Sequence, residues 1–113
     1  LTVKKISPEG LYEKMKGQEK VVLLDVRAEE KYKAFHIEEA GMENININKS
    51  DIFTLAEDKE ASIESLPKDK EIIVTCTTGN SATKCATILS EREYDVVVLD
   101  GGITAWKKYL ETK

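Results

Sequence analysis

Cys76 stands at the mouth of a polar loop, Cys76-Thr77-Thr78-Gly79-Asn80-Ser81, that joins two stretches of different periodicity. A thiol in that position is a candidate nucleophile if its surroundings stabilise an anion. Before the loop, Ile72 to Thr75 is a short apolar, β-branched run that suits a strand buried on both faces. After it, Ala82, Cys85, Ala86 and Leu89 fall at i, i+3, i+4 and i+7, one face of a helix. A helix starting near Asn80 or Ser81 turns its free N–H groups and positive dipole end toward the loop. Such an end favours negative charge on a nearby sulfur. Gly79 lets the backbone turn its amides inward without a Cβ penalty. In open parallel sheets, ligands sit outside the carboxyl ends of the strands, which is where Cys76 falls.

Other reactive residue types read differently. Cys85 lies on the inner face of the helix among Ala82, Ala86 and Leu89, so core packing accounts for it. His36 reads as a packed or backbone-bonded histidine rather than a base. Asp25 ends a strand and reads as the cap of the next helix. Arg27 ends the same strand, from which it either approaches the loop or pairs with a carboxylate. Arg92 lies about three helical turns beyond the loop. Lys84, one turn into the helix, reads as solvated.

The elements that must position Cys76 follow in chain order. Val3 to Ile6 reads as an edge strand. Ser7-Pro8-Glu9 starts a helix, with Ser as cap, Pro at the first position and an acid in the first turn. Val21 to Val26 is the strongest strand signal. Ala28 to Phe35 reads as a short helix, and Ile45 to Ile47 as a small strand. Ser50 or Asp51 caps the next helix, whose continuation from Glu57 to Leu66 is acidic on its outer side. Tyr94-Asp95 ends the helix after the loop, and Val96 to Leu99 is another buried strand. Asp100-Gly101-Gly102 is a tight turn before a last helix with Ile103, Trp106 and Leu110 inward. Strands alternating with helices and no hairpin signal predict an α/β fold, an open parallel sheet with helices on both faces.

Composition sets outer bounds. The chain has 113 residues, enough for one domain with one core. A net charge of −4 makes nucleic acid and anionic membranes poor partners. No apolar run approaches the roughly 20 residues of a membrane span. Two cysteines without a CxxC motif, and one histidine, argue against a disulfide scaffold or a metal site. No metal or cofactor is expected, and a reducing cytoplasm fits best. The chain begins at Leu1 rather than Met, which reads as residues 1–113 of a domain cut from a longer polypeptide.

The loop resembles the persulfide loop of the rhodanese (sulfurtransferase) family, whose usual pattern is Cys-x-x-Gly-x-Arg-Ser followed by a helix of small residues. Leu23-Leu24-Asp25-Val26-Arg27 with Glu29-Glu30-Lys31-Tyr32 resembles a second family segment. His36-Ile37 with Asn44-Ile45-Asn46-Ile47 resembles a third, and Leu99-Asp100-Gly101-Gly102 with Trp106 the closing one. The matches run in order along nearly the whole chain. They imply a five-stranded parallel sheet in a three-layer fold and a cysteine that carries sulfane sulfur as a persulfide. Phe35 stands where the family has Gly, and Glu38 to Glu43 is longer than its tight turn. In the loop, Ser81 takes the Arg position and Ala82 the Ser position.

The resemblance implies Cys76 as the catalytic residue, with Thr77, Thr78, Gly79, Asn80, Ser81, Ala82 and Arg27 binding substrate. The partners are then a small sulfane-sulfur donor and a thiol acceptor, or a protein that carries a persulfide. Because the loop is neutral, weak use of thiosulfate is expected. Two like charges 4 Å apart repel by about 4 kcal/mol at an effective dielectric of 20. A loop without Arg lacks the full positive charge that would offset this for a dianion. A Cys-dependent phosphatase of similar fold needs Cys-x5-Arg to grip its oxyanion, and here that position is Ala82. The second open reading is a non-catalytic docking or regulatory module, often fused to another domain, which the neutral loop favours and the Cys76–Gly79 pair opposes.

Overall fold

Three apolar runs decide the architecture, because each has side chains to cover on two sides. In Val22-Leu23-Leu24, Ile72-Ile73-Val74 and Val96-Val97-Val98, alternate residues go to opposite faces of a sheet. The computed structural model describes residues 3–17, 20–38, 42–58, 60–63 and 65–113. Its strands are β1 (Lys4–Ile6), β2 (Val22–Asp25), β3 (Glu43–Asn46), β4 (Glu71–Thr75) and β5 (Asp95–Leu99). Its helices are α1 (Pro8–Lys16), α2 (Glu29–Ala34), α3 (Lys49–Glu57), α4 (Asn80–Glu91) and α5 (Gly102–Leu110). The strands form one parallel sheet in the order β1-β5-β4-β2-β3. This is the parallel α/β sheet that the alternation of strands and helices predicts, with the five strands that the resemblance implies.

Each face has its own core. Val22, Leu24, Ile72, Val74, Val96 and Val98 pack with Ile52 and Leu55 of α3 and with the inner face of α4. That α4 face is Ala82, Cys85, Ala86 and Leu89, as the spacing requires. On the opposite face Leu23, Ile73, Val97 and Leu99 pack with Leu11 of α1 and Ile103 and Trp106 of α5. α2 buries no residue. No helix among the described residues is long and apolar enough to cross a membrane.

Several element ends differ from expectation. Ser7 caps α1 through its hydroxyl, which accepts from the Gly10 amide at 3.0 Å, as expected. α3, however, begins two or three residues early. Its cap is Asn48, whose side chain accepts from the Ser50 amide at 3.0 Å, and not Ser50 or Asp51. α3 also stops at Glu57 rather than running on. There Arg92 reaches across from α4 and donates to the carbonyls of Leu55 at 2.6 Å, Asp58 at 2.7 Å and Ala61 at 2.8 Å. A guanidinium on these carbonyls offers a better termination than further helix. α4 ends at Glu91, short of Tyr94, and the turn that follows places Glu93 at φ 69°. Part of the long turn anticipated over residues 38–43 lies outside the described residues, as does Leu1.

Candidate functional site

The chain leaves β2 toward one edge of the sheet, to β3, and leaves β4 toward the other, to β5. The carboxyl ends of β2 and β4 therefore lie side by side with their following segments diverging. Such a switch point leaves a crevice in any parallel sheet. Cys76 follows the last residue of β4 directly and forms the floor of that crevice, 5% exposed.

The sulfur is held by backbone amides. Cys76 Sγ accepts from the Gly79 N–H at 3.0 Å and from the Ala82 N–H at 3.4 Å. Gly79 is the N-cap of α4, with φ 102° and no side chain to cap the helix. Ala82 is the third residue of that helix, the position whose amide a capping side chain normally takes. The sulfur takes the place of a cap. Negative charge on it is stabilised by two N–H donors and by the positive end of a twelve-residue helix.

A second helix is anchored on the same residue. The Ile103 amide donates to the Cys76 carbonyl at 2.9 Å, and the Thr104 amide to the Thr77 carbonyl at 3.0 Å. These belong to the first turn of α5 and would otherwise lack partners. The approach requires Gly102, at φ 61°, because a Cβ there would lie 2.4 Å from the Cys76 oxygen. The Gly101-Gly102 turn thus clasps the loop from behind.

The pocket above the sulfur measures about 200 Å³. On the β4 side it is lined by Cys76, Thr77, Thr78 and Ser81. Of the remaining residues anticipated at the site, Gly79 and Ala82 serve through their amides, and Asn80 is exposed and does not line the pocket. The opposite wall is Val26, Arg27 and Ala28, following β2. Arg27 does both things that its position allowed. It lines the pocket, and it pairs with Asp25. Its Nε lies 2.9 and 3.0 Å from the two carboxylate oxygens, and its Nη2 lies 2.7 Å from Oδ2 and 2.6 Å from the Phe35 carbonyl. Asp25 consequently does not cap α2. The cap position is Ala28, without a side-chain bond, because the buried carboxylate is taken by the guanidinium.

The remaining lining residues are Lys31 of α2, and Asn48 and Lys49 at the start of α3. Reading the loop alone misses them. The usable signal was that a switch-point crevice has two walls, and the far wall belongs to the segments after β2 and β3. His36 is not at this pocket. Its Nδ1 lies 2.8 Å from the Tyr32 carbonyl and its ring stacks on Tyr32 at 4.1 Å. Lys84 is exposed, as expected. Cys85 is fully buried behind the site, and its thiol is pushed up to about 12, by burial first and by the neighbouring Cys76 second, with Lys49 opposing.

Comparison with known proteins agrees with this geometry. The family model described as "Rhodanese-like domain" matches residues 7–109. A Bacillus subtilis (strain 168) protein named "Putative sulfurtransferase YtwF" is 30% identical over 107 residues, which is 95% of this chain and 93% of that protein. The crystal structure of a rhodanese-related protein from Thermoplasma volcanium superposes with a TM-score of 0.73 at 29% identity, covering 94% of this chain and 92% of that one. The structure of an NAD-dependent persulfide reductase from A. fulgidus matches with a TM-score of 0.62 at 28% identity, over 92% of this chain and 16% of the reductase.

Proposed function

The chain belongs to the rhodanese-like domain family, and from that membership and the surroundings of Cys76 we propose that it is a sulfurtransferase working through a Cys76 persulfide. The observation that carries the proposal is the pair of amides, from Gly79 and Ala82, aimed at a sulfur on the floor of a polar pocket. An inert core thiol needs no such donors. A thiolate does, and so does the persulfide anion that replaces it.

The Cys76 thiolate attacks the outer, sulfane sulfur of a donor R–S–SH. The donor S–S bond breaks, R–S⁻ leaves, and Cys76–S–SH forms. Loss of its proton gives Cys76–S–S⁻, which the amides and the α4 dipole favour. An acceptor thiolate then attacks the outer sulfur of the protonated persulfide, and Cys76 leaves again as the thiolate. No electrons are gained or lost overall and no base is needed once the thiolate exists. Thr77, Thr78 and Ser81 offer hydroxyls to the incoming group. Weak use of thiosulfate belongs to the same proposal, because its charge must come down beside the Cys76 sulfur where the loop has no cation. A cytoplasmic, reducing setting also belongs to it, since a free thiolate persists there.

The test is intact mass after incubation with a small persulfide, and in parallel with thiosulfate. The expected result is a gain of one sulfur atom on the wild type, faster from the persulfide, retained in Cys85→Ala and absent in Cys76→Ser. Transfer of that sulfur to an added thiol completes the cycle. A folded wild type that never gains sulfur from any donor overturns the proposal and leaves the docking-module reading.

A further inference from the structure

α3 and α4 cover one face of the sheet side by side, and a trough of about 520 Å³ runs between their outer sides. Its walls include Phe53, Ala56 and Ile88. Thr83 and Thr87 also line it, but their hydroxyls donate to the Gly79 carbonyl at 2.8 Å and the Thr83 carbonyl at 2.9 Å, so neither donor needs a partner there. One charge from each helix stands at the rim, Glu57 from α3 and Lys84 from α4. Among the described residues neither has an ion-pair partner. Because α3 joins β3 to β4 and α4 joins β4 to β5, all in one parallel sheet, both helices run against the strands and in the same sense. Their dipoles therefore add. The amino-terminal halves carry Lys49 and Lys84 against Asp51, and the carboxyl ends carry Glu57, Asp58 and Glu91, all exposed. Arg92 stands at the acidic end but is folded onto three carbonyls. The face is positive at one end, negative at the other and apolar between.

Such a face complements its own copy turned end for end, and we infer that α3 and α4 form the interface of a two-fold symmetric homodimer. With the axis across the helices, Lys84 of each copy comes to the level of the partner's Glu57, and the apolar walls meet between the two ion pairs. A copy facing in the same sense would set like charges and like dipole ends together. A uniformly acidic or basic partner would suit only one end of the face, whereas a second copy suits both. Ala56, small and exposed on the wall, lets a facing helix come close. The contact is two helices wide and about 18 Å long. That is the small end of specific interfaces, so dimers form on the order of 100 μM. The inference does not depend on the chemistry at Cys76.

The test is sedimentation equilibrium of the full chain at low salt, from about 10 μM to about 1 mM. The wild type passes from monomer to dimer over that range. Glu57→Lys and Lys84→Glu each turn two attractions into two repulsions, and each weakens dimerisation roughly tenfold. An equal mixture of these two variants associates nearly as tightly as the wild type, because in the mixed dimer both pairs are again of opposite charge. Ala56→Arg, at an exposed position, abolishes the dimer by holding the walls apart. A wild type that stays monomeric at about 1 mM overturns the inference and leaves the trough to a different protein. A dimer that none of these substitutions weakens overturns it as well, since the contact then lies elsewhere. So does a mixture no tighter than its components, because the ion pairs are then not related by a two-fold axis.

Discussion

Cys76 and Cys85 are the same functional group in opposite settings, and the difference is one of donors. Cys76 meets two amides and a pocket, while Cys85 meets Ala82, Ala86 and the apolar face of the sheet. With its thiol pushed up to about 12, Cys85 stays protonated where Cys76 reacts, so native alkylation labels Cys76 alone. The same shift makes a stability prediction. The folded thiol holds its proton more tightly than the unfolded one, which titrates at about 8.5. The stability this confers is complete below that pH and is lost as pH rises toward 12. Cys85→Ala leaves a small cavity costing under about 1.5 kcal/mol at neutral pH. Denaturation from pH 8 to 12 will show the wild-type advantage over Cys85→Ala shrink and then reverse; a constant gap refutes the argument. The placement of both cysteines was legible from the sequence: the helical period turns Cys85 inward, and the switch from strand to helix period leaves Cys76 at the strand end. Asp25 was not, since an acid at a strand end suits a cap or an ion pair equally, and only the position of Arg27 decides.

At the scale of elements, what the sequence concealed was the ends. Periodicity locates the middle of α3 but not its start, and a cap at Ser50 or Asp51 was as plausible as Asn48 until the β3 register fixed the chain entering it. The Arg92 contact that ends α3 spans more than thirty residues of sequence, and no local pattern encodes it. The α5 clasp is long-range too, although its Gly101-Gly102 pair was visible. Replacing Gly102 by Ala sets a methyl 2.4 Å from the Cys76 oxygen and 2.7 Å from the Thr77 oxygen, at a φ that Ala resists. We expect a loss of at least about 2 kcal/mol in urea unfolding. Persulfide formation should fall beyond the loss of folded protein, because the shifted carbonyls carry the loop with them. A Gly102→Ala protein with wild-type transfer per folded molecule would show that the clasp does not set the loop geometry.

The whole molecule is a sheet between two unequal covers. α3 and α4 close one face and α1 and α5 the other, while α2 buries nothing and is attached mainly through its flank, by Arg27 to the Phe35 carbonyl. Local opening needs little free energy where little is buried. Amide hydrogen exchange should therefore be orders of magnitude faster in α2 than in β2, β4 and β5, and equal protection would contradict it. Since α2 carries Lys31, one wall of the pocket is then the pliant one. The architecture itself was legible because three apolar runs with β-branched residues leave a parallel sheet as the economical arrangement. The clasp has a last consequence, in time rather than space. A chain emerges from the ribosome amino end first, so β2, β3, β4 and the loop holding Cys76 are made before Ile103 and Thr104 exist. The thiol is synthesised well before the amides that fix its carbonyl. A nascent domain can thus assemble much of its sheet while its sulfur site is still unformed, and the site becomes complete only as the final helix folds down.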